Sequence, residues 1–333
     1  MILKNKIFQT KIIIFTLAIF LLMFFSYLNF SINKKVNVDL NKVFFIKSGS
    51  SVSSSIQSLK EKKIINSSLR FKILSYMYSI NPTFISGKYS IKKSDTEYSI
   101  LIKIVKGNLY QESITILEGT TFKNILSELN KNRHINSTTL KHSDINFYTS
   151  SFLNTLHPEG LCFPDTYKFS SGISLKNFLS ICSKKMDIVL KKYWNNRDYS
   201  LPYKTPYEML IMASIIEKET SLMSEKPIVA SVFVNRLNKN MRLQADPTVI
   251  YGIKNYNGNI TKKDLMTKNE YNTYKINGLP KSPICSPSES SIRAASRPKK
   301  TDFLYFVAND KGEHIFSRNY KDHVNAVNKY QKK

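Results

Sequence analysis

The residues of this chain best suited to chemistry are two glutamates, Glu217 and Glu219, near the end of TPYEMLIMASIIEKET (Thr205–Thr220). The stretch reads as one helix. Thr205 is a natural N-cap, Pro206 sits at the first helical position where its missing N–H costs nothing, and Glu208 completes a capping box. At 100° per residue, Ile215, Met212, Ile216, Met209 and Ala213 form one apolar arc, with Ser214 and Lys218 opposite. Glu219 falls inside the arc, between Ile215 and Met212, and Glu217 lies at its far edge. A carboxyl set into an apolar wall has its pKa raised, because desolvation disfavours the charged form. A carboxylic acid kept protonated near neutral pH is what a general acid requires. The same spacing also allows a second reading, in which Glu219 is a helix-end residue with its carboxylate in water.

The elements that must position this helix are legible on either side. Val43 to Lys47 alternates like a strand, and Ser48-Gly49-Ser50 turns it into a helix over Val52–Glu61. Asn66 is placed to cap a second helix running to Tyr78, and Gly87–Ile91 reads as a strand. Ser94 with Glu97 forms a capping box, and Gly107 stands where a C-cap belongs. Leu109–Leu117 reads as a strand leading into a second domain, followed by a helix from a Thr121 cap to Asn130. Residues 131–157 read as a loop with a short helix. Ser174 caps an amphipathic helix whose Leu175, Phe178, Leu179, Cys182, Met186, Val189, Leu190 and Tyr193 form a core stripe. Val229–Leu237 is a further helix, and Phe303–Ala308 and His314–Ser317 bracket a hairpin turn at Asn309–Gly312.

The 333 residues can hold one large or two modest domains. A net charge of +26, from 50 Lys+Arg against 24 Asp+Glu, taken alone suggests a polyanionic partner. The excess is mostly Lys, spread along the chain, and accompanied by abundant Ile and Asn, as A+T-rich codon usage would produce. With no aromatic-basic signature, nucleic acid is not expected as a partner. Ile12–Phe30 is a charge-free run of 19 residues, about 28 Å as a helix and close to the bilayer core. No small-x-small cleavage site follows it, so it reads as an uncleaved membrane anchor. Lys4, Lys6, Lys11 and the amino terminus precede it and Lys34 and Lys35 follow, which favours the N-terminus in the cytoplasm. Cys162, Cys182 and Cys285 are odd in number and lack metal-ligand spacing, and the five histidines form no i,i+4 pair. Neither a metal site nor a cofactor is expected, and Cys182 reads as a small buried apolar residue.

ASIIEKET (Ala213–Thr220) resembles the most recognisable stretch of the endolytic murein transglycosylases, the MltG/YceG-like family. EGLCFPDTY (Glu159–Tyr167), VASVFVNRL (Val229–Leu237), MRLQADPTVIYG (Met241–Gly252), YNTY (Tyr271–Tyr274), GLP (Gly278–Pro280) and LYFVAN (Leu304–Asn309) follow in the family's order. The resemblance implies an α+β fold with an N-terminal transmembrane helix, a small LysM-like subdomain and a larger mixed catalytic domain. The expected divisions are a cytoplasmic 1–11, an anchor 12–30, a tether 31–42, a LysM-like unit 43–108 and a transglycosylase domain 109–333. It implies cleavage of the β-1,4 bond of nascent peptidoglycan strands to leave 1,6-anhydro ends, with Glu219 as the catalytic acid. It also implies a body on the periplasmic side of the inner membrane, near peptidoglycan synthases.

The other matched blocks offer residues for the glycan: Glu159, Asp165, Thr166, Tyr167, Arg242, Gln244, Asp246, Tyr271, Asn272 and Tyr274. Asp246 is readable as a sugar ligand, as a second carboxylate, or as a cap for the turn that Pro247 begins; Asp165 is equally readable as a cap after Pro164. The alternatives to a lyase are a hydrolase using Asp246 or Glu225 as second carboxylate, and a non-catalytic wall-binding scaffold. The sequence departs from the family at Leu279–Ser288, where serines replace the usual glycines. Serine tolerates positive φ poorly, so the shape of that loop is left open.

Overall fold

A single helix, α1 (Ile2–Ile32), opens the chain in the computed structural model, which describes residues 2–33, 35–36, 42–136, 153 and 157–331. Within it Gln9–Tyr27 is long and apolar enough to cross a membrane, and Ile13, Phe15, Leu22 and Phe25 are all exposed. This span overlaps the expected 12–30, starting and ending three residues earlier. Of the expected tether, residues 34 and 37–41 lie outside the described residues. The chain divides into two compact units, Met1–Glu112 and Ser113–Lys333.

In the first unit, β1 (Lys42–Ile46), α2 (Val52–Glu61), α3 (Ser68–Tyr78), β2 (Gly87–Ile91) and α4 (Glu97–Lys106) follow in order. β1 and β2 pair antiparallel, with Lys42 opposite Ile91 and Ile46 opposite Gly87. The two-residue period of a strand turns Phe44, Ile46, Tyr89 and Ile91 inward, onto Ile56, Leu59, Phe71, Ile100 and Ile104. Two expected caps are displaced. Thr96, reciprocated by Ser99, caps α4 in place of Ser94, and Ser67 caps α3 in place of Asn66. The reason is a buried demand elsewhere. Glu97 pairs with Arg70 at 2.6 Å and accepts the Asn66 N–H at 2.9 Å, so it is not available to close a capping box. Gly107 ends α4 at φ 68°, in the left-handed conformation a C-cap glycine supplies.

The second unit begins within β3 (Gln111–Thr115) and continues through α5 (Phe122–Lys131), β4 (Ile135–Asn136), β5 (Thr166–Ser170), β6 (Ile173–Ser174) and α6 (Leu175–Asn195). β3 pairs with β5, and the short β4 runs parallel to β6. Most of the segment expected as loop with a short helix, residues 137–152 and 154–156, lies outside the described residues. The α6 stripe packs as read, with Phe178, Leu179, Met186 and Leu190 buried. Cys182 is not a lone apolar residue: it is joined to Cys162 in a disulfide, while Cys285 is buried and free.

Four helices follow: α7 (Pro206–Glu219), α8 (Lys226–Asn238), α9 (Asp246–Gly252) and α10 (Lys262–Met266). Then come α11 (Glu289–Ser296), the antiparallel hairpin of β7 (Tyr305–Ala308) and β8 (His314–Ser317), and α12 (Tyr320–Tyr330). α7 is the axis of this unit. It contacts α6, α8, α9 and α11, and every residue from Met209 to Ile216 is buried. Ser214 is therefore not on a water-facing side. Its hydroxyl donates to the Ile211 carbonyl at 2.7 Å and accepts the Ile284 N–H at 3.0 Å. α11 and the loop before it cover the face that the helical wheel left open.

Candidate active site

α7 starts where its cap dictates. The Thr205 hydroxyl accepts the Glu208 N–H at 3.2 Å. Glu208 reaches back to the N–H of Lys204, at 2.5 Å, and not to Thr205 itself. Fourteen residues later the helix ends on Glu219, and Thr220 is extended. The two glutamates of this last turn meet opposite environments.

Glu217 enters the protein. Its carboxylate pairs with the buried Lys226 ammonium at 3.1 Å, accepts the Ser291 hydroxyl at 2.6 Å and the Ser288 N–H at 2.9 Å, and receives the Ser288 hydroxyl as well. Lys226 is further satisfied by Ser288 and Ser290, at 3.0 and 2.9 Å. Burial would raise the Glu217 pKa, but the serine bonds and Lys226 outweigh it and hold the carboxyl below its ordinary value. Glu217 is thus a buried ionic hub binding α7 to α8 and α11, where the wheel placed it at an edge.

Glu219 faces a cavity of about 490 Å³, lined also by Arg236, Gln244, Asp246, Tyr274, Tyr305, His314 and His323. Among the described residues no hydrogen bond or ion pair engages its carboxyl. Its pKa is pushed up to about 8, first by desolvation and then by the Asp246 carboxylate, with the Arg236 guanidinium opposing. Half-buried at the cavity wall, Glu219 is a protonated, uncommitted acid at neutral pH.

Asp246 is delivered by backbone geometry. Gln244 takes a positive φ of 50°, uncommon for a non-glycine residue and a mark of strain at a site. The Gln244 N–H donates to the Thr273 carbonyl at 3.2 Å, and the Ala245 N–H to the Thr273 hydroxyl at 2.9 Å. Thr248 meets Thr273 again at 2.8 Å. The chain before α9 is thereby stapled to YNTY, whose Tyr274 donates its hydroxyl to Asp246 at 2.6 Å. Ala245, not Asp246, is the N-cap of α9, so Asp246 is the first helical residue and caps nothing through its side chain.

Arg236 ties this same segment to the chain entering β7. Its guanidinium donates to the carbonyls of Leu304 and Leu243, both at 2.7 Å, and lies 5.1 Å from the Tyr305 ring centre. Beside it stands a second constellation. Glu225 accepts the His314 N–H and the His314 Nδ1–H, each at 2.7 Å, and the Thr220 hydroxyl at 2.9 Å.

Of the residues read from sequence, the structure brings Glu219, Gln244, Asp246 and Tyr274 to one cavity. The others stand elsewhere. Glu159 is buried, holding the Phe122 N–H and the Tyr251 hydroxyl, each at 2.9 Å, and its pKa is raised to about 7 by burial. Asp165 pairs with Lys185 and accepts the Thr166 N–H at 2.7 Å. Thr166 lies on β5 against Thr115, and Tyr167 is buried with its hydroxyl on the Phe163 carbonyl. Arg242 is exposed and donates to the Tyr274 carbonyl at 3.0 Å. Asn272 is wholly buried, its amide shared among the carbonyls of Asp264, Leu265 and Thr267. Tyr271 bonds Ser282 at 3.0 Å and packs on Tyr251. Arg236, Tyr305, His314 and His323 were not singled out from sequence. Arg236 alone gave a signal, as a cation in the last turn of a helix whose middle is apolar.

The YceG-like family profile matches residues 44–329 of the chain. An endolytic murein transglycosylase of Bacillus subtilis (strain 168) is 32% identical over 316 residues, covering 90% of this chain and 86% of that protein. Another from Streptococcus pneumoniae (strain D39) is 32% identical over 176 residues, 51% of this chain and 31% of the relative. The crystal structure of a YceG-like protein from Listeria monocytogenes matches with a TM-score of 0.55 at 28% identity, covering 86% of this chain and 99% of that one.

Proposed function

The chain belongs to the YceG-like family, and from that premise we propose that it is a peptidoglycan lytic transglycosylase whose acid and base are one residue, Glu219. The observation that carries this is the Glu219 carboxyl at the cavity wall, raised to about 8 and, among the described residues, held by no hydrogen bond or ion pair. Breaking a β-1,4 glycosidic bond needs a proton on the leaving oxygen and an electron pair for the sugar carbon left behind. Glu219 gives its proton to the leaving oxygen as the bond to C1 breaks. The oxygen of the same sugar's C6 hydroxyl then bonds to C1, and its proton passes to the Glu219 carboxylate, which restores the acid. Water is not consumed, and the new end is a 1,6-anhydro ring.

Asp246 supports this cycle by keeping Glu219 protonated, and it is itself held by Tyr274. Glu225, the other candidate for a second carboxylate, is engaged by His314 and Thr220 and is not among the residues that line the cavity. Cleavage of purified glycan in ¹⁸O-labelled water tests the assignment. Anhydro ends without label are expected, and label at the new ends would sink it.

The rest of the reading is ours as well. α1 anchors the chain with its N-terminus in the cytoplasm and its body on the periplasmic side, near peptidoglycan synthases. The Cys162–Cys182 bridge supports an oxidising compartment. The strand–helix–helix–strand order of the first unit supports a LysM-like module there.

A further inference from the structure

We propose that His314 contacts the substrate directly: its Nε2, the nitrogen left over once Glu225 has engaged Nδ1, accepts in the neutral ring an N–H or O–H of the glycan lying against Glu219. The proposal rests on a glycan occupying the Glu219 cavity. It begins from the accounting at Glu225. Oε1 accepts the His314 backbone N–H at 2.7 Å, a donor that cannot be reversed. Oε2 accepts from Nδ1 at 2.7 Å and from the Thr220 hydroxyl at 2.9 Å. Burial opposes ionisation of Glu225, but the bonds from His314 and Thr220 outweigh it, so its pKa lies below the ordinary value and the group is a carboxylate. A carboxylate only accepts, so the hydrogen between it and the ring belongs to Nδ1. In the neutral imidazole the other nitrogen, Nε2, is then an acceptor.

The ring lines the same cavity as Glu219, with 12% of its side chain exposed, and the Phe306 ring packs against it at 5.2 Å. Among the described residues none bonds Nε2. An imidazole pinned by a buried carboxylate, with its one unspent nitrogen an acceptor at a cavity, is arranged to meet a donor that arrives with the ligand. Saccharides bring such donors as hydroxyls and amide N–H groups. Glu225 and Thr220 are then positioning residues that act through His314.

Substitution at Glu225 inverts the polarity without removing the ring. In Glu225→Gln the amide oxygen must stay on the His314 backbone N–H, so the NH₂ faces Nδ1. Nδ1 becomes the acceptor, the hydrogen moves to Nε2, and the cavity meets a donor in place of an acceptor. The test measures calorimetric binding of purified, uncross-linked glycan strands to the full chain carrying Glu219→Gln, which binds without turnover. Adding His314→Ala should weaken binding about tenfold, the value of one hydrogen bond. His314→Gln, whose amide oxygen reaches the place of Nε2, should recover most of that. Glu225→Gln should cost as much as His314→Ala although the imidazole is still there. Urea unfolding of each variant, followed through Trp194, separates lost binding from lost fold. If Glu225→Gln unfolds, the Ala and Gln variants of His314 decide. Binding unchanged by His314→Ala, or equal in the Ala and Gln variants, overturns the proposal, as does absence of strand binding by the Glu219→Gln protein. Strand binding that depends on His314, with no cleavage by the parent chain, would instead retire the lyase reading and leave this contact standing.

Discussion

Replacing Glu219 by glutamine keeps the shape of the side chain and removes the acid, so turnover should fall on the order of 10²–10⁴-fold while the fold survives. The reaction should also lose rate above about pH 8, where the Glu219 proton leaves. Asp246→Asn removes the second-largest cause of that high value, and the basic limb of the pH–rate profile should move toward lower pH. A limb that stays in place would show that Asp246 does not act on Glu219. Stability carries the same signature. A carboxyl whose pKa is raised on folding stabilises fully below its unfolded value of 4.5, and that contribution is lost as pH rises through about 8. The unfolding midpoint of the parent should therefore decline across this window relative to Glu219→Gln. Glu217→Gln tests the opposite environment. It breaks a buried ion pair with Lys226 and should cost about 3 kcal/mol in urea unfolding. Its residual activity should track the folded fraction, since Glu217 touches protein and not the cavity.

At the scale of elements, the sequence announced helix starts better than helix faces. Thr121, Ser174 and Thr205 cap where their hydroxyls imply, because a cap is a local bond that needs only the next three residues. The hairpin of β7 and β8 was legible for the same reason. Faces depend on what else folds against them. Ser214 reads as exposed on an isolated wheel and is buried because residues some seventy positions on dock over it. The Glu225–His314 pair joins residues 89 apart, and no local pattern encodes that separation. Of the residues that line the cavity, Glu219, Asp246 and Tyr274 could be read because each stands in a short distinctive run. Glu159 and Asn272 stand in equally distinctive runs yet serve to hold backbone. The Cys162–Cys182 bridge was not legible at all, since a separation of 20 residues specifies no pairing. It staples the segment before β5 to α6, and Cys182→Ala should lower stability by about 3 kcal/mol, seen as a lower denaturation midpoint. An unchanged midpoint would mean the bridge does not form in solution.

For the whole molecule, the decisive measurement is topological. Protease added to sealed spheroplasts should degrade the chain beyond Lys35 and leave the cytoplasm intact, because α1 is long enough to span and most of the positive charge beside the span precedes it. A protected body would remove access to peptidoglycan, and a mature chain beginning near residue 31 would mean the segment is cleaved. One feature of the second unit bears on how such a body meets its substrate. The loop 279–288 has no glycine and no positive φ, carries Pro280, Pro283 and Pro287, and clamps α7 through Ile284 and Ser288. Prolines narrow the range of shapes open to the unfolded chain, so less freedom is surrendered when the loop takes its native path. The clamp belongs to the folded chain itself, and none of the loop's residues is among those lining the Glu219 cavity, so a bound strand need not reorganise it. Backbone amides of Ile284 and Ser288 should then exchange with deuterated solvent equally slowly with and without bound glycan.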